Sequence, residues 1–585
     1  MWHEVFKCIS NVNIIQTHEL FLFIIYAFAN KNAYYKQNFS IPLSMNFLLV
    51  LLASVFISLA WLLPIHYHPW VTYTGELYAF FALITLALLL IKEKVHIPKL
   101  SLGLVVLAIV PFGQFYFGKV FFFSNALMSS IYILGLWFAI IFGYNLCIGK
   151  FNREKTFTTL CYVFLLSGVL TALIAICQWL NLDDVIPGIS RQINARPYAN
   201  FAQPNNMATF LLMALLACLY LFEKQKIKTS VLVSCAFIML ISLALSQSRT
   251  SWVACACILV YLGYQQFKGQ ITIKWYALTA WLAVFVGLIF LFPVLGAYLS
   301  QFSDAQIKSV DIARRATGDM SRLAIWKQML HAVEYQPWFG YGWFQSSTAY
   351  TTISESFQGP VWVRSAHNFI IDFILWNGAT IGVPFLAYFS YWGYQLQKHV
   401  KSTESIIGIL MVGVFVVHAM LEFPQNYAYF LLPVGFIIGA VQAQRVLKTD
   451  IVVSPIFMKL SFAAGIILLV FIYRDYDVAS TRLSQAMKYE KTPEKINNYQ
   501  PILLLTEFKH RIEWVKMDPY SHVSPQQIKD ISHIVLLYPT SYNMVKFARL
   551  LAFNGYEEEV KHQLKMIKII RKADIPYENI LKPDF

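Results

Sequence analysis

The chain has 585 residues, of which 58% are hydrophobic, 16% aromatic and only 13% charged. Soluble domains are roughly 45–50% apolar and about 25% charged, so this composition excludes a soluble globular enzyme, and a chain this apolar does not stay disordered. The formal charge of +15 raises nucleic acid as a partner, and the placement of the cations decides that question.

In chain order, apolar runs of the length a bilayer requires, about 20 residues, fall at 47–63, 75–91, 100–115, 125–147, 156–180, 207–222, 230–246, 251–264, 275–292, 367–397, 404–421, 427–444 and 455–473. They predict an all-α polytopic membrane protein of about 12–13 transmembrane helices, with the third and eighth the weakest candidates by length. Ahead of them lies an N-terminal segment, 1–46. Its apolar run at 20–29 is ten residues long, follows a polar stretch and has no small-residue cleavage site, so it reads as an interfacial segment and not as a signal peptide. A large loop occupies 293–366 within the membrane domain 47–473. Charged residues then rise from about 10% of 1–473 to 31 of the 112 residues in 474–585, which marks a water-exposed C-terminal domain. Two apolar-periodic stretches there, 542–554 and 557–572, flank Gly555 and predict a helical hairpin. The hairpin resembles half of a tetratricopeptide-type array; the plainer reading is a solvated helical cap. The eight cysteines lie mostly inside apolar runs without Cys-x-x-Cys spacing, which argues against a disulfide framework or a zinc site.

Cations in the short loops set the orientation. With the N-terminus inside, loops 92–99, 148–155, 223–229, 265–274, 398–403 and 445–449 carry 15 Lys and Arg. The alternate short loops carry four: Lys119, Arg191, Arg196 and Arg249. Thirteen spans then place the 293–366 loop and the C-terminal domain outside. The fifteen cations of the inner loops are thus topology signals, and nucleic acid drops out as a partner.

The unusual residues collect on the outer side. Ala195-Arg196-Pro197-Tyr198-Ala199-Asn200-Phe201-Ala202-Gln203-Pro204-Asn205-Asn206 opens a span with an Arg among prolines and amides, a donor fork suited to phosphate; the alternative is an ordinary interfacial Arg. Ser246-Gln247-Ser248-Arg249-Thr250-Ser251 is a tight turn that puts a cation near hydrocarbon on the side where cations are disfavoured, flanked by hydroxyls fit to line a polar cavity. In the long loop, 320–335 is amphipathic, with Arg322 and Trp326 at i, i+4. It runs into Pro337-Trp338-Phe339-Gly340-Tyr341-Gly342-Trp343-Phe344, which suits sugar stacking or, preferably, membrane-edge anchoring. Arg364-Ser365-Ala366-His367-Asn368 leads into the tenth span. His367 at its mouth, with Arg364 one turn earlier if the helix begins early, is either structural or a base able to take a proton near neutral pH. His418 and Glu422, at i, i+4 on the last turn of the eleventh span, form either a proton relay or a structural ion pair. Asp475-x-Asp477 has the spacing of a metal–diphosphate site but sits beside Arg474, which favours a helix-end role, and His66 with His68 make no metal site alone.

Together, Ser246-x-Ser248-Arg249-Thr250-Ser251-Trp252, Arg322-x-x-x-Trp326 followed by Pro337-x-x-Gly340-x-Gly342, and His367-Asn368-x-x-x-Asp372 resemble the O-antigen ligase superfamily. Pro64-Ile65-His66-Tyr67-His68-Pro69-Trp70, Arg196-Pro197-Tyr198 with Gln203-Pro204-Asn205-Asn206, and His418-Ala419-Met420-Leu421-Glu422-Phe423-Pro424 resemble one branch of it, the bacterial protein O-oligosaccharyltransferases, or pilin glycosylation ligases. The resemblance covers roughly 46–476; the first 45 residues carry none of it, which makes Met45 an alternative start. It implies a GT-C-like membrane fold and a metal-independent glycosyltransferase without cofactors. The implied reaction moves a preassembled oligosaccharide from undecaprenyl diphosphate to Ser or Thr hydroxyls of a periplasmic, pilin-like protein, at the periplasmic face of the bacterial inner membrane. By matched motif, His367 is the implied catalytic residue, Arg196 and Arg249 bind the diphosphate, and Arg322 supports them from the loop. Arg364 joins the donor-binding cations by position, with Gln203, Asn205, His418 and Glu422 in support.

The chemistry of these residue types agrees. A lipid-diphosphate leaving group needs fixed cations where negative charge develops, and a hydroxyl nucleophile needs a base within hydrogen-bond reach. Rival readings are an O-antigen ligase acting on lipid A core, a glycan polymerase and, from a different class, a transporter or flippase. A transporter calls for repeats and broken helices in both halves, a pairing the sequence does not show. The Gln-Pro-Asn-Asn and His-x-x-x-Glu elements, with the outer tail, favour the protein acceptor.

Overall fold

A computed structural model describes residues 45–582 except 194, 300, 302–320, 358, 360–361, 445–449, 491 and 497–499. The expected interfacial segment at 20–29 and the inner loop 445–449 lie outside the described residues.

Helices follow every predicted span: α1 (Met45–Leu62), α2 (Tyr73–Leu90), α3 (Leu102–Tyr116), α4 (Phe123–Cys147), α5 (Lys150–Trp179), α6 (Pro204–Glu223), α7 (Thr229–Ser246), α8 (Arg249–Phe267) and α9 (Trp275–Leu299). After α10 (Ser321–Tyr335) and α11 (Ser346–Ile353) of the long loop come α12 (Phe369–Lys398), α13 (Thr403–Ala419), α14 (Ala428–Gln442) and α15 (Pro455–Lys488). Among the described residues, ten helices are long and apolar enough to cross a bilayer unaided, which makes this a multi-pass membrane protein. The other three, α8, α13 and α14, sit inside the bundle or open on a polar end. Nearly all of α14 is buried, so protein and not lipid surrounds it, and α8 begins at Arg249. The closest crossing joins α4 to α14, where an added Cβ on Gly143 or Gly439 would stand 2.0 Å from a carbonyl oxygen of the other helix. Small residues at such a crossing let dispersion act where lipid supplies no hydrophobic drive.

Contacts between loops separate the two faces without reference to net charge. Strand β1 (Val95–Ile97) pairs antiparallel with β2 (Ile451–Val453), Val95 opposite Val453. Lys224 bridges to Glu404 at 2.5 Å and Lys226 to Glu154 at 3.2 Å, and Glu223 accepts from Thr272 N at 2.9 Å. All these belong to loops or helix ends that the cation rule assigns inside. On the other face, His66 Nε2 lies 2.8 Å from Asn200 O, and Lys119 Nζ donates to Gln336 at 2.9 Å. Glu355 of the long loop bridges there to Lys565 of the tail at 2.7 Å. The long loop and the C-terminal domain therefore share a face, as the four crossings between them, α12 to α15, require.

Helix α15 does not end with its apolar run. It continues unbroken into the tail, where α16 (Thr506–Lys516), α17 (Pro525–Leu537), α18 (Ser541–Phe553) and α19 (Glu557–Arg571) stack. The predicted hairpin is α18 and α19, turning at Gly555 with φ +79. Asp475 is buried, and its Oδ2 accepts from Leu503 N at 2.8 Å and Leu505 N at 3.1 Å, so this carboxylate anchors the returning chain of the tail to α15.

Candidate active site

The tenth span is two helices in succession. Gly378 takes φ 64 and ψ −176, which divides α12 into 369–377 and 379–398. The Pro337–Gly342 segment fills the break: Ala379 N donates to Pro337 O at 2.7 Å, Tyr341 N to Leu375 O at 2.7 Å and Gly342 N to Trp376 O at 3.0 Å. Backbone groups freed by a break inside a membrane domain must find partners, and this loop supplies them. An added Cβ on Gly378 would stand 2.2 Å from Trp338 O, and one on Gly340 2.4 Å from Leu375 O. The Pro-x-x-Gly-x-Gly motif is thus a splint for the broken helix, while Trp338 and Phe339, each 65% exposed, project from it. Gly378→Val combines a left-handed φ with a steric overlap and should destabilise by about 3 kcal/mol or more. A lower melting temperature and lower yield of the solubilised protein would show it; a wild-type melt would contradict the splint.

The first half of α12 starts at Phe369, with Asn368 as its N-cap: Asn368 Oδ1 accepts from the N–H groups of Ile370 and Ile371 at 3.0 and 3.2 Å. His367 therefore lies before the helix, and Arg364 does not stand one helical turn behind it as an early start would require. His367 has φ +53, a left-handed conformation that costs a non-glycine residue about 1 kcal/mol or more. Buried Asp372 holds it there. Asp372 accepts from Ser365 Oγ at 2.5 Å, Ser346 Oγ at 2.6 Å and Ala366 N at 2.8 Å, and Ser365 Oγ accepts in turn from His367 N at 3.0 Å.

The imidazole turns to Glu422. His367 Nδ1 lies 2.7 Å from Glu422 Oε2, Asn205 Nδ2 donates to Glu422 Oε1 at 2.9 Å, and Arg322 pairs with the same oxygen. The His418–Glu422 pair expected from the i, i+4 spacing does not form. Helix α13 ends at Ala419, and although Glu422 N still donates to His418 O at 2.8 Å, the Glu422 carboxylate is taken by His367 and Arg322. His418 stays buried, its Nδ1 2.9 Å from Thr209 Oγ1. Burial opposes the charge on Glu422, but His367 and Arg322 outweigh it and hold the carboxyl below its ordinary range.

Asn205 carries the cluster further. Its Oδ1 accepts from Ser248 Oγ at 2.8 Å and from Arg196 Nη2 at 3.3 Å, and Arg196 Nε donates to Ser246 O at 2.7 Å. Ser248 is the N-cap of α8 and Arg249 its first residue. The N-termini of α6, α8 and α12, with their partial positive charge, thus meet around one carboxylate. Gln203 is the N-cap residue of α6 but makes no side-chain capping bond. Arg364 is exposed and faces the tail, its guanidinium 5.0 Å from the Tyr538 ring. Asp372 received no role from sequence, although its spacing from the Asn368 cap, an acid in the first turn behind a Ser-Ala-His loop, was the available signal. Among the described residues, no three His, Cys, Asp or Glu side chains are grouped to hold a metal.

With Glu422 on Nδ1, His367 carries its proton there and presents Nε2 as an acceptor, a tautomer inferred from the contact. Arg196 and Arg322 bond into the cluster directly and Arg249 opens α8 beside Ser248, a placement of cations that suits an anionic leaving group. A histidine fixed beside arginines in a multi-pass membrane bundle is an arrangement suited to a membrane-embedded group transferase. The comparisons narrow the class. The chain matches the O-antigen ligase family over residues 234–379, the protein glycosylation ligase family over 197–222, and the C-terminal region of the virulence factor membrane-bound polymerases over 406–560. It is 38% identical over 537 residues to the general O-oligosaccharyltransferase of Acinetobacter baylyi (strain ATCC 33305 / BD413 / ADP1), covering 92% of this chain and 94% of that protein. It is 26% identical to the ComP-specific O-oligosaccharyltransferase of the same strain, over 84% and 88% of the two chains. The chain belongs to the O-oligosaccharyltransferase family and is a glycosyltransferase.

Proposed function

We propose that this enzyme takes a preassembled oligosaccharide from undecaprenyl diphosphate and attaches it to Ser or Thr hydroxyls of periplasmic proteins, a pilin among them. The reaction takes place at the periplasmic face of the bacterial inner membrane and needs no metal. Membership of the family supports a glycan donor and a protein acceptor. The observation that carries the mechanism is the 2.7 Å contact of His367 with Glu422 where the Arg196 loop and the Arg249 turn converge.

The acceptor oxygen forms a bond to the anomeric carbon as the bond from that carbon to the diphosphate oxygen breaks. His367 Nε2 takes the hydroxyl proton and later returns it to solvent. Glu422 keeps the ring oriented and offsets the positive charge the imidazole acquires. Arg196 and Arg249 face the charge that collects on the departing diphosphate, a preorganised arrangement that stabilises the transition state more than the ground state.

Reconstituted enzyme given undecaprenyl-diphosphate glycan and two acceptors, a pilin-like protein and lipid A core, should glycosylate the protein. Glycan appearing only on the lipid would replace this reading with the O-antigen ligase one, and chain elongation on the donor would replace it with the polymerase one. The rate should be the same with and without EDTA; strong inhibition would overturn the metal-free part.

A further inference from the structure

The tail grips the segment leading into the His367 loop at three points. Glu355, just past α11, bridges to His562 Nδ1 at 2.8 Å and Lys565 Nζ at 2.7 Å on α19. Trp362 lies 5.5 Å from the guanidinium of Arg571, whose Nε donates to Pro539 O at 2.6 Å. Arg364 lies 5.0 Å from the Tyr538 ring, and Arg511 of α16 takes the same ring at 4.7 Å. Two guanidinium groups on one ring repel each other, and Glu507 offsets this by bonding the Tyr538 hydroxyl and pairing with Arg511 at 3.6 Å. Burial, with the Glu507 charge, holds the Tyr538 phenol well above its ordinary range, so the ring stays neutral and keeps the face a cation needs.

We propose that Tyr538 is a positioning residue for the transfer reaction: through Arg364 the docked tail fixes the loop from which His367 acts. The inference rests on the transferase reading above. The loop is pinned on the membrane side by Asp372, through Ser365 and Ala366, and on the tail side by Arg364. Between these anchors and the Asn368 cap, His367 keeps its left-handed backbone and its contact with Glu422. Releasing one anchor lets the loop relax, and a misplacement of about 1 Å costs up to a hundredfold in rate. Arg364, grouped by sequence with the donor-binding cations, acts here through the loop and not on the diphosphate.

The test uses the full-length enzyme carrying Tyr538→Leu, Tyr538→Phe, Arg364→Met or the Leu/Met pair. Tyr538→Leu should lower kcat by roughly tenfold to a hundredfold with donor KM unchanged. Tyr538→Phe keeps the aromatic face and should remain near wild type. Arg364→Met should match Tyr538→Leu, and the double variant should fall no further, because both remove one interaction. Hydrogen exchange across 362–367, which needs no substrate, should quicken in Tyr538→Leu and not in Tyr538→Phe. Wild-type kcat and exchange in Tyr538→Leu would overturn the proposal. So would additive losses in the double variant with a raised donor KM in Arg364→Met, which would return Arg364 to the donor site. If Tyr538→Leu does not accumulate, Arg364→Met alone decides, since that side chain is exposed and its loss leaves the tail core intact. A wild-type enzyme that transferred no glycan would sink the transferase reading but leave the exchange result able to show the coupling.

Discussion

His367→Ala is expected to yield a protein that inserts normally and transfers no measurable glycan, a loss of roughly 10³–10⁴ in kcat. The side chain is 28% exposed, and the clamp around it runs through Ser365, Ala366 and Asp372, so removing the imidazole leaves the loop's anchors in place. The loss should therefore fall on chemistry and not on folding. Arg249→Ala should lose activity by roughly a hundredfold or more, because in the proposed mechanism this cation, the first residue of α8, faces the charge that develops on the diphosphate. Protein level in the membrane fraction and in vitro transfer separate the two explanations. Either variant with full activity at normal protein level would defeat the assignment of this cluster as the reaction centre.

Glu422→Gln tests the arrangement more sharply, since it keeps the size and most of the hydrogen bonding. The amide cannot balance a protonated imidazole, and its NH₂ can donate to Nδ1, which would move the ring proton to Nε2 and remove the acceptor. A fall on the order of a hundredfold in kcat follows from partners of this kind. Donor KM should not rise. Arg322 loses its carboxylate in this variant, and an unneutralised guanidinium beside the site favours an anionic donor. A kcat within a factor of two of wild type would show that Glu422 is a structural ion-pair partner for Arg322. A raised donor KM with unchanged kcat would place the cluster's role in binding and not in proton transfer.

The span positions, the sidedness of the loops and the α18–α19 hairpin were all readable in the sequence, because each depends on local properties: run length, nearby cations, and a glycine between two periodic stretches. The neighbourhood of Arg196, Asn205, the Ser246–Ser251 turn, Arg322 and His367 was readable as a set of motifs on one face. Their connections were not. The i, i+4 rule paired Glu422 with His418, but partners distant in the chain took both side chains: Thr209 for His418, and His367, Asn205 and Arg322 for Glu422. Gly378 follows Asn377, a turn-type dipeptide, but inside a long apolar run the pair does not read as a break. The partner that makes the break tolerable, Pro337–Gly342, belongs to a different part of the chain and read as an aromatic surface. Arg364 shares its sequence neighbourhood with His367 and its contacts with the tail, a division visible only once α16 to α19 are packed.

The sequence by itself determined that this chain is a polytopic membrane protein with one chemically unusual face, and its motifs pointed to the transferase family. A bilayer imposes constraints that a single segment satisfies alone: enough apolar length to cross, helical backbone, and positive charge kept to one side. Which carboxylate meets the histidine, which arginine faces the tail and where a membrane helix breaks were decided by tertiary structure alone. Each depends on two segments distant in the chain, and the free energy that selects the pairing exists only after the bundle has brought them together.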